Sequence, residues 1–162
     1  MKLRKLQAED ALFMLEWMHD DSVVHDLKTN FAAKTMEDCI SFIKMAQDKK
    51  ENLHLAIVDD NDTYMGTVSL KHITKISAEF GITVRKCAMG KGFSKFAMQH
   101  IIEIGFKRLG LQKIYWCVAP ENQRAVRFYD KNKYGRCLAP VEAQNCYTAE
   151  EITHFIWYAV TH

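Results

Sequence analysis

The stretch from residue 77 to residue 118 constrains the fold more than any other part of this sequence. Residues 77–85 alternate between apolar and polar side chains, and this period of two predicts a strand. A turn with two glycines follows, then a helix that continues to about Arg108, and then a second alternating strand over residues 112–118. A helix that connects two strands packs against their sheet, so we predict a sheet with helices against it.

The same periodicities predict the elements on either side of this stretch. Before it we expect a strand over 2–6, a helix over 8–19, a second helix that begins at Thr35, and a hairpin of strands 53–58 and 64–73. After it we expect a helix over 122–132 and strands near 134–139 and 151–160. Thr35 and Asp38 have the spacing of a capping box.

These elements define the predicted fold class, which is α+β with three α/β layers. We expect one central sheet, mixed but mostly antiparallel, with about seven strands and four flanking helices. No linker or repeat interrupts the chain, so residues 1–162 are predicted to form a single domain.

Composition argues against several classes of function. The formal net charge is only +2 and the basic residues are scattered, which argues against a nucleic-acid partner. No apolar run is long enough to cross a bilayer, and the first residues lack the apolar stretch of a signal peptide. We therefore expect no membrane partner and a cytoplasmic location. The spacing of Cys137, Cys146 and His154 matches no zinc pattern, so we also expect no metal.

The turn after the strand at 77–85 is a candidate phosphate site. Glycine permits backbone angles that other residues avoid, and the free N–H groups at a helix N-terminus attract anions. The turn is not a P-loop, because Gly92 stands where that pattern requires Ser or Thr. It is not a dinucleotide-binding turn either, because Lys95 stands at the position of the third glycine. A tight connection without a ligand has similar glycines, so the pattern alone leaves both interpretations open.

Four motifs in consistent order resemble the GNAT superfamily of N-acetyltransferases. The segment C-A-M-G-K-G at 87–92 resembles the family's acyl-CoA pyrophosphate loop, Q/R-x-x-G-x-G/A, with Cys87 at the position of the usual Gln or Arg. The segment N-Q-R-A-V-R-F-Y at 122–129 resembles the helix N-x-[RS]-A-x-x-x-Y, and D-K-N-K-Y-G at 130–135 resembles the E-K-x-G-F that follows it. The segment A-E-F-G at 78–81 is similar to the strand before the loop. The resemblance covers essentially the whole chain and is strongest to the branch of ribosomal-protein N-terminal and amino-sugar acetyltransferases.

The resemblance implies acetyl-CoA as the co-substrate and a sheet that is splayed between the strands at 77–85 and 112–118. The thioester would lie in the gap. The residues that it implies for binding acetyl-CoA are Ile82, Thr83, Val84, Cys87, Ala88, Met89, Gly90, Lys91, Gly92, Phe93, Asn122 and Arg124.

The resemblance also implies direct transfer of the acetyl group to a primary amine in a ternary complex. Tyr129 is the candidate general acid for the departing thiolate, because the family's tyrosine at this position lies near the thioester sulfur. Glu79 is the candidate general base, and His72 competes for that role because its ordinary pKa suits it; a water molecule is the third candidate. An acyl-enzyme on Cys87 or Cys117 is less favoured, because no histidine is adjacent in sequence to activate either thiol.

No motif defines the acceptor amine. In this branch of the family the acceptor is a protein N-terminus, an amino-sugar nucleotide, a polyamine or an amino acid. The segment from Gly66 to Gly81 most resembles amino-sugar acetyltransferases, which favours an amino sugar or its nucleotide, with a protein N-terminus as the next class. We expect specificity to reside in the first two helices and in the loop at 140–150. The alternative function is a sensor domain that binds acyl-CoA without transferring the acyl group. Dimers are common in the family, so a homodimer is also expected.

Overall fold

The structure, a computed structural model, describes residues 1–47 and 50–162. Seven strands form one sheet: β1 (Lys2–Lys5), β2 (Leu53–Val58), β3 (Tyr64–Lys71), β4 (Ser77–Val84), β5 (Lys113–Val118), β6 (Gly135–Cys137) and β7 (Ile156–Thr161). The α-helices are α1 (Asp10–Met18), α2 (Asp21–Val24), α3 (Met36–Ala46), α4 (Phe93–Lys107), α5 (Gln123–Lys131) and α6 (Ala149–His154). None of the helices in these ranges combines the length and the apolar character that crossing a membrane requires.

The sheet is mixed and mostly antiparallel, as the sequence predicts. Its strand order is β1-β2-β3-β4-β5-β7-β6, and only β4 and β5 pair in parallel. That parallel ladder has three residue pairs, from Ser77 with Lys113 to Glu79 with Tyr115. Beyond these pairs the two strands separate, which confirms the expected splay between them.

Side-chain caps determine where several helices begin. The Thr35 hydroxyl accepts a hydrogen bond from the Asp38 N–H, and the Asp38 carboxylate accepts one from the Thr35 N–H. The capping box that the sequence predicts therefore forms at the start of α3. At the start of α5, the Asn122 side-chain oxygen accepts a hydrogen bond from the Ala125 N–H.

The prediction of a strand over residues 151–160 is wrong in its first part. Thr148 and Glu151 form a second capping box, which satisfies free N–H groups and starts α6 at Ala149. Strand β7 consequently begins only at Ile156. Helix α2 is also missing from the prediction, so two short helices join the four that the sequence indicates.

Helices cover both faces of the sheet and give three layers. On one face, α4 and α5 pack over buried side chains that include Ile57 of β2. On the other face, α1 and α3 pack over Ala56 and Val58 of the same strand. Successive side chains of a strand point to opposite faces, so these three residues belong to two separate cores.

Strands β3 and β4 approach each other very closely at Gly66. A Cβ atom added to Gly66 would lie 2.4 Å from the Thr83 carbonyl oxygen and 2.9 Å from the Val84 Cα. Both contacts are with the backbone of β4, which cannot move away without disturbing its pairing with β3. Only glycine fits here, and the close contact fixes the position of the last residues of β4.

A buried ion pair ties α1 to β1. The Arg4 guanidinium donates to both carboxylate oxygens of Asp10, at 2.8 and 2.9 Å, and the Gln7 N–H donates to the same carboxylate at 2.8 Å. The hydrogen bond from Arg4 to Asp10 raises the pKa of the guanidinium above its ordinary value. Asp10 is 2% exposed, so its charge depends on these partners rather than on water.

Candidate active site

A cleft of about 710 Å³ opens where β4 and β5 separate. Residues 80–84 of β4 form one wall, and residues 116–119, at the end of β5, form the other. Because the strand pairing ends at Glu79 and Tyr115, the β5 side of residues 80–84 has no strand partner within the described chain. Its backbone N–H and C=O groups are available to a ligand that contains amide groups.

The glycine turn lies at one end of this cleft. Gly90 and Gly92 have φ angles of 74° and 87°, in the left-handed region that favours glycine. Gly92 is the N-cap of α4 and supplies no side chain to the free N–H groups of this 15-residue helix. The helix N-terminus is therefore a site where phosphate oxygens can accept backbone hydrogen bonds.

The structure brings part of the predicted acetyl-CoA set to the cleft wall. The members that line the cleft are Ile82, Thr83, Val84, Met89, Gly90, Asn122 and Arg124. The other members belong to the same turn but differ in exposure. Cys87 and Lys91 are exposed to solvent, and Gly92 caps α4. The side chains of Ala88 and Phe93 are buried in the core, so only their backbone could contact a ligand.

Asn122 and Arg124 stand at the start of α5 on the cleft wall. The Asn122 oxygen is engaged by the helix cap, which leaves its amide nitrogen as the donor toward the cleft. The Arg124 guanidinium donates to the Ser22 carbonyl at 3.3 Å and contacts the Met89 sulfur at 3.2 Å. These contacts connect α5 with the end of the glycine turn and with α2.

Tyr129 lines the cleft from α5 and is 7% exposed. Its ring lies 5.3 Å from that of Trp116 and 5.1 Å from that of Tyr158, so aromatic packing fixes its orientation. Burial, with smaller contributions from Tyr158 and Cys117, raises the pKa of the Tyr129 hydroxyl above its ordinary value. The hydroxyl is consequently protonated at neutral pH and can act as a proton donor.

Glu79 lines the same cleft and is 4% exposed. It lies between Ala78 and Phe80 on β4, so its side chain points to the face of the sheet opposite the one on which Tyr129 packs. Its Oε1 atom accepts a hydrogen bond from the Tyr147 hydroxyl at 2.5 Å and one from Lys71 Nζ at 3.3 Å. The nearest imidazole nitrogen is His72 Nε2, at 3.5 Å from Oε2. His72 itself is half-exposed and does not line the cleft, so of the two candidate bases only Glu79 faces it.

The end of the cleft around Glu79, which we call the acceptor end, includes residues that the sequence does not single out. It is lined by residues 25–29, Phe31, Lys71, Glu79, Cys117, Tyr147, His154 and Phe155. The sequence predicts that the region of the first two helices and the loop at 140–150 govern specificity, but no motif singles out Tyr147. Only the structure brings Tyr147 next to Glu79, 68 positions away in the sequence.

No group of three His, Cys, Asp or Glu side chains suited to holding a metal ion occurs in the part of the chain that the structure describes. A splayed sheet, a glycine turn before a helix and a tyrosine in the gap together define an acyl-CoA-dependent acyltransferase. Residues 1–134 match the family described as the acetyltransferase (GNAT) domain, and the chain therefore belongs to this family of N-acetyltransferases.

The chain is also similar to individual members of the family. It is 36% identical to spermidine N(1)-acetyltransferase of Vibrio cholerae over 142 residues, which are 81% of this chain and 76% of that protein. It is 30% identical to the N-acetyltransferase p20 of Bacillus licheniformis over 132 residues, which are 78% of this chain and 74% of that protein. Among solved structures, the Vibrio cholerae spermidine N-acetyltransferase in complex with CoA and spermine superposes with a TM-score of 0.78 at 21% identity. That superposition covers 99% of this chain and 94% of the other.

Proposed function

We propose that this protein transfers an acetyl group from acetyl-CoA to a primary amine, which attacks the thioester directly in a ternary complex. The observation that carries the proposal is the composition of one cleft. Gly90 of the turn, Tyr129 and Glu79 all line it, so a phosphate-binding loop, a proton donor and a proton acceptor face the same space.

The chain has groups that fit each part of acetyl-CoA. The N-terminus of α4 and the turn at 90–92 suit the pyrophosphate. The free edge of β4 at 82–84 suits the amide groups of the pantetheine arm, and its N–H groups suit the thioester carbonyl. The amide nitrogen of Asn122 adds a side-chain donor on the facing wall.

The proposed reaction moves three protons. Glu79 accepts one from the acceptor ammonium, so that the neutral amine can attack the carbonyl carbon. A C–N bond forms and the C–S bond breaks, and Tyr129 donates a proton to the departing thiolate. The second proton that the nitrogen loses on becoming an amide returns to Tyr129, and Glu79 releases its proton to solvent.

An acyl-enzyme on cysteine is not supported. Burial raises the pKa of the Cys117 thiol to about 11, so its thiolate is scarce at neutral pH. Cys87 is exposed in the glycine turn and does not line the cleft. Direct attack by the amine requires neither thiol.

The acceptor enters at the acceptor end, beside Glu79. A polyamine such as spermidine is one candidate class, because the relative with 36% identity is a spermidine N(1)-acetyltransferase. An amino-sugar nucleotide is the class that the resemblance of residues 66–81 to amino-sugar acetyltransferases favours, and a protein N-terminus is the third. All three present a primary amine to the same carboxylate.

Thermal unfolding with acetyl-CoA tests the first half of the proposal. A ligand at a hundred-fold excess over its Kd stabilises the folded state by about 2.7 kcal/mol. For a domain of this size, we expect a rise in Tm of roughly 5–10 °C. Adenosine nucleotides at equal concentration should give a much smaller rise. Equal effects of the two ligands would contradict the proposed binding mode.

Thiol release from acetyl-CoA with spermidine, an amino-sugar nucleotide and a short peptide tests the second half. Tyr129→Phe should lower kcat by about 100-fold or more with the best acceptor, since general acid catalysis contributes about that much. Its Tm rise with acetyl-CoA should stay close to that of the wild type. Full activity in this variant would exclude Tyr129 as the proton donor.

A further inference from the structure

Three segments from distant parts of the sequence contact one another at the acceptor end, where Tyr147 bonds to Glu79. Tyr147 comes from the loop before α6, Glu151 from α6 itself, and Lys28 from the segment after α2. Lys28 and Tyr147 both line the cleft, and all three residues connect its two sides. We call Lys28, Tyr147 and Glu151 the acceptor clasp.

The hydroxyl of Tyr147 donates a hydrogen bond to one carboxylate oxygen of Glu79. It donates to Oε1 at 2.5 Å, which is shorter than an ordinary neutral hydrogen bond and typical of a bond to a carboxylate. Burial, with the nearby Cys117 thiol and the Glu79 carboxylate, raises the pKa of the Tyr147 hydroxyl. The hydroxyl therefore keeps its proton and remains a donor to Glu79.

The ring of Tyr147 is held from two sides. It packs edge-on against Trp157, with ring centroids 5.2 Å apart. On the other side, Lys28 Nζ lies 4.5 Å from the centroid of the Tyr147 ring and 2.9 Å from Glu151 Oε1. A cation over an aromatic face is attracted to it, and the pairing with Glu151 fixes where the cation sits.

We propose that Tyr147 is the positioning residue of Glu79, and that Lys28 holds Tyr147 in place from the other side of the cleft. A glutamate side chain has several rotatable bonds, so a free carboxylate samples many orientations. Lys71 also donates to Oε1, but its 3.3 Å bond is longer than the 2.5 Å bond from Tyr147. The bond from Tyr147 therefore sets the direction in which Oε2, 3.5 Å from His72 Nε2, accepts the proton of the acceptor amine. The inference rests on the proposed function, because it takes Glu79 as the base.

The main test is Tyr147→Phe, which removes the hydroxyl and keeps the ring that contacts Lys28 and Trp157. We expect kcat with the best acceptor to fall by about 10-fold or more, because the base loses its orientation. The KM for acetyl-CoA should stay within about twofold, because the hydroxyl contacts Glu79 rather than the glycine turn or the free edge of β4.

Tyr64→Phe is the matched control. The Tyr64 hydroxyl is also buried and hydrogen-bonded, to Thr67 at 2.7 Å and Trp17 at 3.1 Å, but Tyr64 does not line the cleft. This variant should lose stability and keep its kcat. If Tyr147→Phe behaves in the same way, losing stability but not kcat, its role is structural and the proposal is wrong.

Labelling of Cys117 with iodoacetamide tests the clasp without any acceptor. Cys117 and Tyr147 line the same end of the cleft, and burial there raises the pKa of the Cys117 thiol. We expect Lys28→Ala and Tyr147→Ala to raise the labelling rate of Cys117 by about threefold or more, measured against exposed Cys137 by peptide mass spectrometry. Lys107→Ala breaks an exposed ion pair on α4 and should leave that ratio unchanged.

The two experiments separate the inference from the function on which it rests. If the wild type acetylates no amine but labelling responds as expected, the clasp is supported and the acceptor assignment fails. If the wild type is active and neither Tyr147→Phe nor the labelling variants have an effect, the proposed function stands and the positioning role is refuted.

Discussion

Replacing Gly66 by alanine should destabilise the protein and weaken the binding of acetyl-CoA together. The new Cβ would lie 2.4 Å from the Thr83 carbonyl oxygen, whereas non-bonded heavy atoms normally lie at about 3.5 Å. Strand β4 would have to move by about 1 Å, and the moving residues, Thr83 and Val84, form the cleft wall. Overpacking of this kind costs about 1–3 kcal/mol, and contact with backbone points to the upper part of that range.

Urea unfolding measures the stability loss, and the Tm rise with acetyl-CoA measures binding. We expect Gly66→Ala to lower the free energy of unfolding by about 2–3 kcal/mol and to reduce the rise in Tm. Gly135→Ala is the matched control, because a Cβ there meets nothing within 4 Å. A Gly66→Ala variant within about 0.5 kcal/mol of the wild type would refute the argument from close approach.

Other sites give three further predictions. Asp10→Ala should lower the free energy of unfolding by about 2 kcal/mol, because the Arg4 guanidinium loses its two shortest hydrogen bonds and keeps only Asp62, at 3.2 Å, as a charged partner; urea unfolding measures this, and a loss below about 1 kcal/mol would contradict it. Burial lowers the pKa of His54 to about 4, so the unfolded chain binds a proton that the folded chain does not. Stability should therefore fall as the pH drops from about 6.5 to about 4, and His54→Gln should flatten that slope in unfolding curves at a series of pH values. Gly90→Ala and Gly110→Ala should each cost about 1 kcal/mol, since both positions have positive φ angles and open space around them. Only Gly90→Ala should weaken acetyl-CoA binding, and equal effects of the two variants on binding would exclude a role for Gly90 in the site.

Local signals in the sequence predict most of the fold. Period-two and helical patterns indicate the strands and the four longer helices, because side-chain alternation reflects burial directly. The error near residue 151 has a local cause as well. Thr148 and Glu151 have a capping-box spacing like that of Thr35 and Asp38, but the apolar residues after them favour a strand that begins too early. The cap determines the structure there, and β7 is correspondingly shorter.

Some residues of the site can be predicted from local sequence motifs, and others only from contacts between distant parts of the chain. The sequence brings out Glu79 and Tyr129 because each belongs to a motif on a regular element. Tyr147 and Lys28 lie in irregular segments, and their importance depends on contacts with Glu79 and Glu151 more than 60 positions away. A pattern with a short period carries no information about such pairs, so only the folded chain reveals them.

The short ladder between β4 and β5 has a mechanical consequence. Three residue pairs join a half-sheet of β1–β4 to a half-sheet of β5–β7–β6, and each half keeps its own antiparallel hydrogen bonds. A change in the distance between the two halves would therefore break few backbone hydrogen bonds, although side chains of both halves meet in the core under α4. We expect amide hydrogen exchange to be faster along this ladder than along the antiparallel ones. A ligand that contacts both half-sheets would hold them at a fixed distance. Amide hydrogen exchange should then slow in both β4 and β5 when it binds.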